Sequence, residues 1–256
     1  MGWHTIASMA AIIVAVVLAA RGARQKGISP NEIYSLTPWL LIGGIVGARM
    51  FHVVDHWNYY AGNPSQIIMI QEGGSAIWGA LVGGLIAIVA YVKMRHLQLG
   101  RFFDTLVPAL LIGQIIGRIG CAINRDAWGG PTNLPWGFIY INSGASIPWN
   151  LIGIPTHPYP VYEMIWNGLV LLLLIKIHSR FKMDELMFFS YLLLYSMGRL
   201  ILTLVRQENV LFWGLQEAQV VGVMVIIGAI GGFIYLFKKQ RHSRLNFDEY
   251  RRIPDV

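Results

Sequence analysis

Long apolar runs alternate with short polar segments along the whole chain, and this pattern predicts a bundle of membrane-spanning helices. A helix needs about 20 mostly apolar residues to cross the hydrocarbon core of a bilayer. The 256 residues contain seven runs that approach this length. They lie approximately at Thr5–Ala20, Leu36–Val54, Ala76–Val92, Phe102–Ile119, Val161–Ile175, Leu186–Leu204 and Ala218–Phe237. We therefore expect an all-α polytopic membrane protein with about seven transmembrane helices.

Composition agrees with a membrane protein and excludes an ordinary soluble domain. Hydrophobic residues make up 55% of the chain, charged residues 13%, and the mean hydropathy is +0.53, whereas a soluble domain has roughly 25% charged residues. The sequence shows neither an internal repeat nor a Pro/Gly/Ser-rich linker. We expect a single transmembrane domain over residues 1–237, followed by a basic cytoplasmic tail over residues 238–256.

The cationic residues predict the orientation of this domain. Fifteen of the twenty Lys and Arg residues fall in four short segments between the apolar runs, namely Arg21–Lys26, Lys93–Arg101, Lys176–Lys182 and Lys238–Arg252. Such segments favour the cytoplasmic side, which puts the N-terminus outside and the C-terminus inside. We therefore expect the first run to be a retained helix and not a cleavable signal peptide. The net charge of +7 indicates contact with anionic lipids rather than with nucleic acid.

The other five cations are all arginines, and they lie inside or at the outer ends of apolar runs: Arg49, Arg118, Arg125, Arg199 and Arg206. A charge near the bilayer centre costs at least about 2.5 kcal/mol, so these side chains need polar partners. Glycines four apart accompany three of the runs, as in Gly79-x-x-x-Gly83. They indicate either close helix packing or thin helices around a lipid-accessible cavity, bordered by loops on the outer face.

The densest polar cluster, Gly117–Thr132, follows the fourth run. A planar guanidinium presents five donors in a fork that suits phosphate or carboxylate. Arg118 is therefore a candidate phosphate ligand, and Asn124 can add a neutral donor. The alternative is a structural ion pair between Arg118 and either Asp126 or Glu163.

A second cluster, Thr156–Glu163, opens the fifth run. Pro160 suits the start of a helix, and Glu163 then lies in the first turn, where a carboxylate complements the helix dipole. Glu163 is thus either a helix-terminal charge or a carboxylate that orients an arginine or takes part in proton transfer. His157 is either a solvated hydrogen-bonding group or a catalytic one.

A third cluster, Gly198–Arg206, ends the sixth run. Arg199 and Thr203 are four residues apart, and Arg206 is seven residues from Arg199, so a helix would place all three on one face. Gln219, one turn into the next helix, can join them. The single cysteine, Cys121, excludes an internal disulfide and a CxxC metal site, and we expect no metal and no cofactor.

Several stretches together resemble the prolipoprotein diacylglyceryl transferase family, in the same order and over nearly the whole chain. They are Gly47-Ala48-Arg49 with Trp57-x-Tyr59-Tyr60, the signature-like Gly117–Gly129, His157-Pro-x-x-x-Tyr162-Glu163, and Gly198-Arg199 through Arg206. The resemblance implies a bacterial cytoplasmic membrane enzyme. It would transfer the diacylglyceryl group of phosphatidylglycerol to the thiol of a lipobox cysteine in a prolipoprotein and release glycerol phosphate.

The resemblance also implies roles for individual residues. Arg118 would hold the phospholipid headgroup and Arg199 would be a second essential cation, because cationic donors stabilise the charge on a phosphate leaving group. Asn124, Gly129 and Glu163 would shape the site. We expect Arg49, Arg206 and Gln219 to contribute to substrate binding. The nucleophile belongs to the substrate, so Cys121 is not expected to be catalytic.

Three positions depart from the family's usual pattern. Trp78 stands where the family often has a histidine, Cys121 where asparagine is common, and Thr203 where glutamate is common. A general base is therefore absent from its usual place. His157 or Glu163 can replace it, or the cationic field can lower the pKa of the substrate thiol.

Two other functions remain open at this stage. One is a non-catalytic protein that binds anionic phospholipid through the same arginines. The other is an anion or lipid transporter. A transporter is less favoured because the cytoplasmic half has no matching polar lining apart from Asp104 and Gln114.

Overall fold

The computed structural model describes residues 3–141, 147–180, 183–206, 210–212 and 215–250. Eight α-helices dominate these residues: α1 Trp3–Gln25, α2 Pro30–Asp55, α3 Trp57–Gly62, α4 Ile77–Met94, α5 Leu99–Asn124, α6 Tyr159–Arg180, α7 Leu186–Thr203 and α8 Glu217–Tyr250. All except the short α3 are long and apolar enough to cross a membrane. The predicted all-α polytopic architecture with seven spanning helices is confirmed.

Helix boundaries follow local sequence signals. Ser29 precedes α2, its hydroxyl accepts a hydrogen bond from the backbone N–H of Asn31 at 3.3 Å, and Pro30 occupies the first helical position. At the end of α5, Arg125 adopts a left-handed backbone (φ 59°), and its N–H donates to the carbonyl of Cys121 at 2.9 Å. Arg125 thereby terminates α5, and its side chain is exposed.

The chain forms two compact units. We call them the α2–α4 unit (Val16–Thr105) and the larger unit (Met1–Ala15 with Leu106–Val256). In the α2–α4 unit, α2 and α4 pack through glycines. A Cβ on Gly79 would collide with the carbonyl oxygen of Gly47, and a Cβ on Gly83 with that of Gly43. Here the small residues serve close helix packing.

The larger unit is built around α5, α6, α7 and α8. Its core consists of apolar side chains from three of these helices: Val107 and Leu111, Val170 and Leu174, and Met187 and Tyr191. Between α5 and α6 the chain forms a lobe with the antiparallel strands β1 (Phe138–Ile139) and β2 (Pro155–Thr156). Strands β3 (Val210–Phe212) and β4 (Leu215–Gln216) pair between α7 and α8.

Two boundaries differ from those expected from the sequence. Glu163 is the fifth residue of α6, so it lies just beyond the first turn and not within it as expected. The predicted tail begins inside α8, which continues to Tyr250. Residues 251–256, and Phe181 and Lys182 of the third cationic segment, lie outside the described residues. The assignment of residues 1–237 to a single domain stays a prediction.

Candidate active site

Two of the predicted arginines of the larger unit share one buried carboxylate. Nη2 of Arg118, on α5, donates to Oε1 of Glu163, on α6, at 2.9 Å and lies 2.8 Å from Oε2. Nη1 of Arg199, on α7, lies 3.7 Å from the same Oε2. The Glu163 side chain is 3% exposed, whereas those of Arg118 and Arg199 are 22% and 17% exposed. Of the two ion pairs considered for Arg118, the structure forms the one with Glu163.

Tyr159, for which the sequence predicts no role, lies among Arg118, Arg199 and Arg206. Its hydroxyl accepts a hydrogen bond from Nη1 of Arg199. The guanidinium carbon of Arg118 lies 5.8 Å from the centre of its ring, and that of Arg206 lies 4.7 Å away. The residue is fully buried, so its ring offers the arginines a desolvated π face. The spacing Tyr159–Glu163, one helical turn, was the available sequence signal.

Arg206 reaches this group from beyond the end of α7. The helix ends at Thr203, so the predicted single helical stripe through Arg206 is wrong in its geometry. Instead, Arg206 forms a β-bridge with Gly129. The N–H of Gly130 donates to the carbonyl of Val205 at 2.8 Å, which fixes the chain next to Arg206.

Gly129 is a point of close backbone approach. Its N–H donates to the carbonyl of His157 at 3.0 Å. A Cβ added to Gly129 would lie 2.6 Å from Cβ of His157 and 2.8 Å from the carbonyl oxygen of Val205. A larger residue would therefore push apart the segments that carry His157 and Arg206. Gly129 accordingly shapes the site through its lack of a side chain.

His157 belongs to a short chain of polar side chains in the lobe between α5 and α6. Its Nδ1 lies 3.2 Å from the hydroxyl of Tyr162, and Nε1 of Trp136 donates to that hydroxyl at 2.8 Å. Tyr162 immediately precedes Glu163 on α6. The imidazole is thus oriented by Tyr162, one residue from the carboxylate that holds Arg118.

Other predicted residues have local partners. Nδ2 of Asn124 donates to Oδ2 of Asp126 at 2.9 Å. Oε1 of Gln219 accepts from the N–H of Gln216 at 2.9 Å, at the start of α8. Their substrate-binding roles stay predictions. Arg49 belongs to the α2–α4 unit, where backbone carbonyls surround it.

The residues that depart from the family's usual pattern are also placed. Sγ of Cys121 lies 3.7 Å from Nη1 of Arg118. The hydroxyl of Thr203 donates to the carbonyl of Arg199 at 2.5 Å, one turn earlier on α7. Trp78 is the second residue of α4 and is half-buried.

The geometry leaves part of Arg118 available to an anion. One nitrogen is held by Glu163 and a second meets only the weak thiol acceptor of Cys121. Among the described residues, no hydrogen bond reaches Nε of Arg118. A guanidinium fixed on one edge and open on another can bind a phosphate oxygen without reorganising.

Comparison with known proteins gives the family. The model of the prolipoprotein diacylglyceryl transferase family matches residues 1–235. The chain belongs to this family. A Clostridioides difficile relative is 32% identical over 94% of this chain and 93% of its own length. Relatives from Synechococcus elongatus and a Nostoc species are each 34% identical over 93% of this chain, and over 84% and 86% of their own lengths. All three are named phosphatidylglycerol–prolipoprotein diacylglyceryl transferase.

Membership in the prolipoprotein diacylglyceryl transferase family confirms the resemblance inferred from the motifs. It identifies the chain as a transferase and a multi-pass bacterial membrane protein. The two other functions considered, non-catalytic lipid binding and transport, are not favoured. The roles of individual residues are a separate question, which depends on the site itself.

Proposed function

We propose that the protein transfers the diacylglyceryl group of phosphatidylglycerol to a cysteine thiol of prolipoproteins. The names of the relatives state this donor and this acceptor. Within the chain, one observation supports the proposal most directly. Arg118 and Arg199 come from different helices and share the buried carboxylate of Glu163, so two guanidinium groups are held together at one fixed carboxylate.

The reaction is a displacement at a carbon atom. The thiolate sulfur attacks the glycerol carbon that carries the phosphate ester, a C–S bond forms, and the C–O bond to phosphate breaks. The electron pair leaves with the phosphate, so negative charge grows on glycerol phosphate, while the thiol proton passes to a base or to solvent. Preorganised cationic donors stabilise the leaving group and accelerate the step.

Each residue of the site has its own role in this reaction. Arg118 binds the phosphate through its open edge, and Arg199 is the second cation for the leaving group. Glu163 holds both guanidinium groups, with Tyr159 beneath them. Arg206, Asn124, Gly129 and Gln219 shape the remainder of the substrate site.

We assign His157 the role of the base that accepts the proton of the substrate thiol. Its Nδ1 is engaged with the hydroxyl of Tyr162, which orients the ring. Imidazole is the side chain that most often accepts a proton in general base catalysis. Glu163 is less suited to this task, because its carboxylate already neutralises arginine.

The substrate and the membrane set the remaining features of the proposal. The acceptor is the lipobox cysteine that follows a prolipoprotein signal peptide, and the surrounding lipids of the cytoplasmic membrane supply the donor. The four cationic segments favour an external N-terminus and a cytoplasmic C-terminus. Neither a cofactor nor nucleic acid has a part in this reaction.

A reconstituted lipidation assay tests the function. Purified protein in phosphatidylglycerol-containing vesicles is mixed with a lipobox peptide, and the products are measured by mass spectrometry. We expect a thioether-linked diacylglyceryl peptide and glycerol phosphate in equal amounts. A peptide with serine in place of the lipobox cysteine is the control and should stay unmodified. A folded preparation that forms no lipidated peptide contradicts the proposal.

A further inference from the structure

Arg49 differs from the other arginines because backbone carbonyls occupy its entire guanidinium. The residue is 5% exposed and lies six residues before the end of α2. Its five hydrogen bonds are Nε to Ile67 at 2.9 Å, Nη1 to Gly73 at 2.5 Å and Gly74 at 2.9 Å, and Nη2 to Gln66 at 2.5 Å and Met69 at 3.2 Å. A guanidinium has five N–H groups. The number of acceptors therefore equals the number of donors.

Two adjacent glycines make this arrangement possible. Gly73 and Gly74 have φ angles of 89° and 77°, which residues with a Cβ rarely adopt. A Cβ on Gly74 would lie 2.5 Å from Nε2 of His52 and 3.0 Å from Nη1 of Arg49. The glycines thus allow the backbone to turn two successive carbonyls toward one nitrogen. The ring of Tyr60 also contacts this guanidinium, and its centre lies 5.2 Å from the guanidinium carbon of Arg49.

Besides Arg49, the side chain of Tyr59 contacts the segment Pro64–Gly74, because its hydroxyl donates a hydrogen bond to Oε1 of Gln66. The segment contains two short 3₁₀ turns, Pro64–Ile68 and Ile70–Glu72, and Glu72 is the one charged residue in the sequence from Pro64 to Gly74. The side chains of Ile68 and Ile70 are 80% and 49% exposed. Inward-facing carbonyls, rather than a hydrophobic core, fix the conformation of this segment.

We propose that Arg49 is a positioning residue that folds the segment Pro64–Gly74 by filling a cage of carbonyl groups. It takes the place that a bound cation would have among carbonyl oxygens. From the sequence alone we expect Arg49 to bind substrate, but a guanidinium whose five donors are used has none to offer a phosphate. The proposal concerns the α2–α4 unit alone, so it does not depend on the transferase reaction.

Lysine cannot replace arginine in this role. An ammonium group has three donors around one point, whereas the five carbonyls surround a planar fork. A phosphate ligand, in contrast, would keep much of its function as lysine, because the charge is retained. The Arg49→Lys variant therefore separates a carbonyl cage from a headgroup ligand.

Hydrogen exchange of the protein in phosphatidylcholine nanodiscs is the test. Four backbone amides report on the segment: Gln66, Met69, Gly73 and Ala76, which donate to Asn63, Gln66, Ile70 and Ala48. In Arg49→Lys we expect their exchange to accelerate at least about tenfold, as loss of a charge-assisted hydrogen bond predicts. The amide of Leu97, which donates to Val92 at the other end of α4, should not change. Arg95→Lys is the matched control, because Arg95 pairs with a carboxylate, Glu32.

If Arg49→Lys unfolds the protein beyond the segment Pro64–Gly74, a second variant still tests the proposal. Gly73→Ala meets no atom within 4 Å but requires an unfavourable φ, so it should release the same four amides while Arg49 is intact. Gly62→Ala, which also meets no atom and has no positive φ, should not. Wild-type exchange in Arg49→Lys, or in Gly73→Ala, would overturn the proposal. So would acceleration in Arg49→Lys that appears only when phosphatidylglycerol replaces phosphatidylcholine.

Discussion

Arg49 and Arg118 occupy equivalent places in two helices, yet their surroundings differ in kind. Each lies six residues before the last residue of its helix. Arg49 donates to five neutral carbonyls of one nearby segment. Arg118 meets a carboxylate, a thiol and an aromatic ring, and part of its donor set faces no described hydrogen-bond partner. A membrane-embedded arginine is therefore not by itself evidence of a ligand site, because its partners decide between a structural and a binding role.

Of the substitutions considered, removal of the Arg118 side chain should change the lipidation rate most. We expect Arg118→Ala to lower the rate of peptide lipidation about 100- to 1,000-fold, the range found when one preorganised donor to a developing anion is lost. The measurement is single-turnover lipidation with phosphatidylglycerol vesicles. Arg125→Ala is the control, since Arg125 is an exposed arginine seven residues further along the chain. Equal rates in the two variants would show that Arg118 has no special role.

Glu163 tests whether the shared carboxylate positions the two cations. Glu163→Gln keeps the shape of the side chain but removes its charge. A hydrogen bond to a charged group contributes about 1.5–3 kcal/mol, so we expect lipidation to slow about 10- to 100-fold. The Tm should also fall, because two partly buried guanidinium groups lose the carboxylate that they share.

The matched control for Glu163 lies in the other unit. Glu32 accepts two hydrogen bonds from Arg95, at 3.1 and 2.9 Å, and one from Tyr91 at 2.7 Å. Glu32→Gln removes the carboxylate of a comparable arginine pair within the α2–α4 unit. Its lipidation rate should stay close to that of the wild type. A rate as low as that of Glu163→Gln would mean that loss of stability, not loss of positioning, explains both.

The packing of the α2–α4 unit predicts a smaller effect, on stability. A Cβ on Gly79 would meet the carbonyl oxygen of Gly47 and, at 2.5 Å, Cβ of Phe51. Overpacking of this kind destabilises by about 1–3 kcal/mol, so Gly79→Ala should lower the Tm in nanodiscs. Gly84→Ala on the same helix meets only Cδ2 of Leu40 at 3.9 Å and should leave the Tm unchanged or raise it. A lowered Tm in both variants would point to glycine content rather than to close packing.

The fold could be predicted from the sequence more completely than the sites. Apolar runs of spanning length are a direct physical signal, and all seven correspond to helices. Arg118, Glu163 and Arg199 were also identifiable, because charges in apolar runs are costly and rare. The cage around Arg49 was not, because backbone carbonyls are present at every position and carry no sequence signal. Only Gly73-Gly74 hinted at an unusual backbone there.

Tyr159 was overlooked for a different reason. Tyrosine is common where a helix enters the membrane interface, so a tyrosine at the start of α6 required no special explanation. Its contacts come from α5, α7 and the segment after α7, and sequence order does not bring these together. The side chain is completely buried beneath the arginines, which distinguishes it from an interfacial tyrosine.

Tyr159→Phe should produce the smallest effect on activity and separates the ring from the hydroxyl. The variant keeps the π face near Arg118 and Arg206 but removes the acceptor for Arg199. A hydrogen bond to a charged group contributes about 1.5–3 kcal/mol. Because the ring stays in place, we expect the lower end of this range, which slows lipidation about 10-fold. Tyr159→Leu, which also removes the ring, should be slower still. Equal rates for the two variants would show that the ring makes no contribution.

Tyr140 provides the control for this substitution. It is buried in the lobe between α5 and α6 of the same unit, and burial raises the pKa of its phenol. Its hydroxyl has no hydrogen-bond partner among the described residues, so Tyr140→Phe removes no interaction and should be neutral or stabilising. Lipidation by this variant should match the wild type. If Tyr159→Phe also matched the wild type, the Tyr159 hydroxyl would not be needed to place Arg199, and Tyr159 would serve the arginines through its ring.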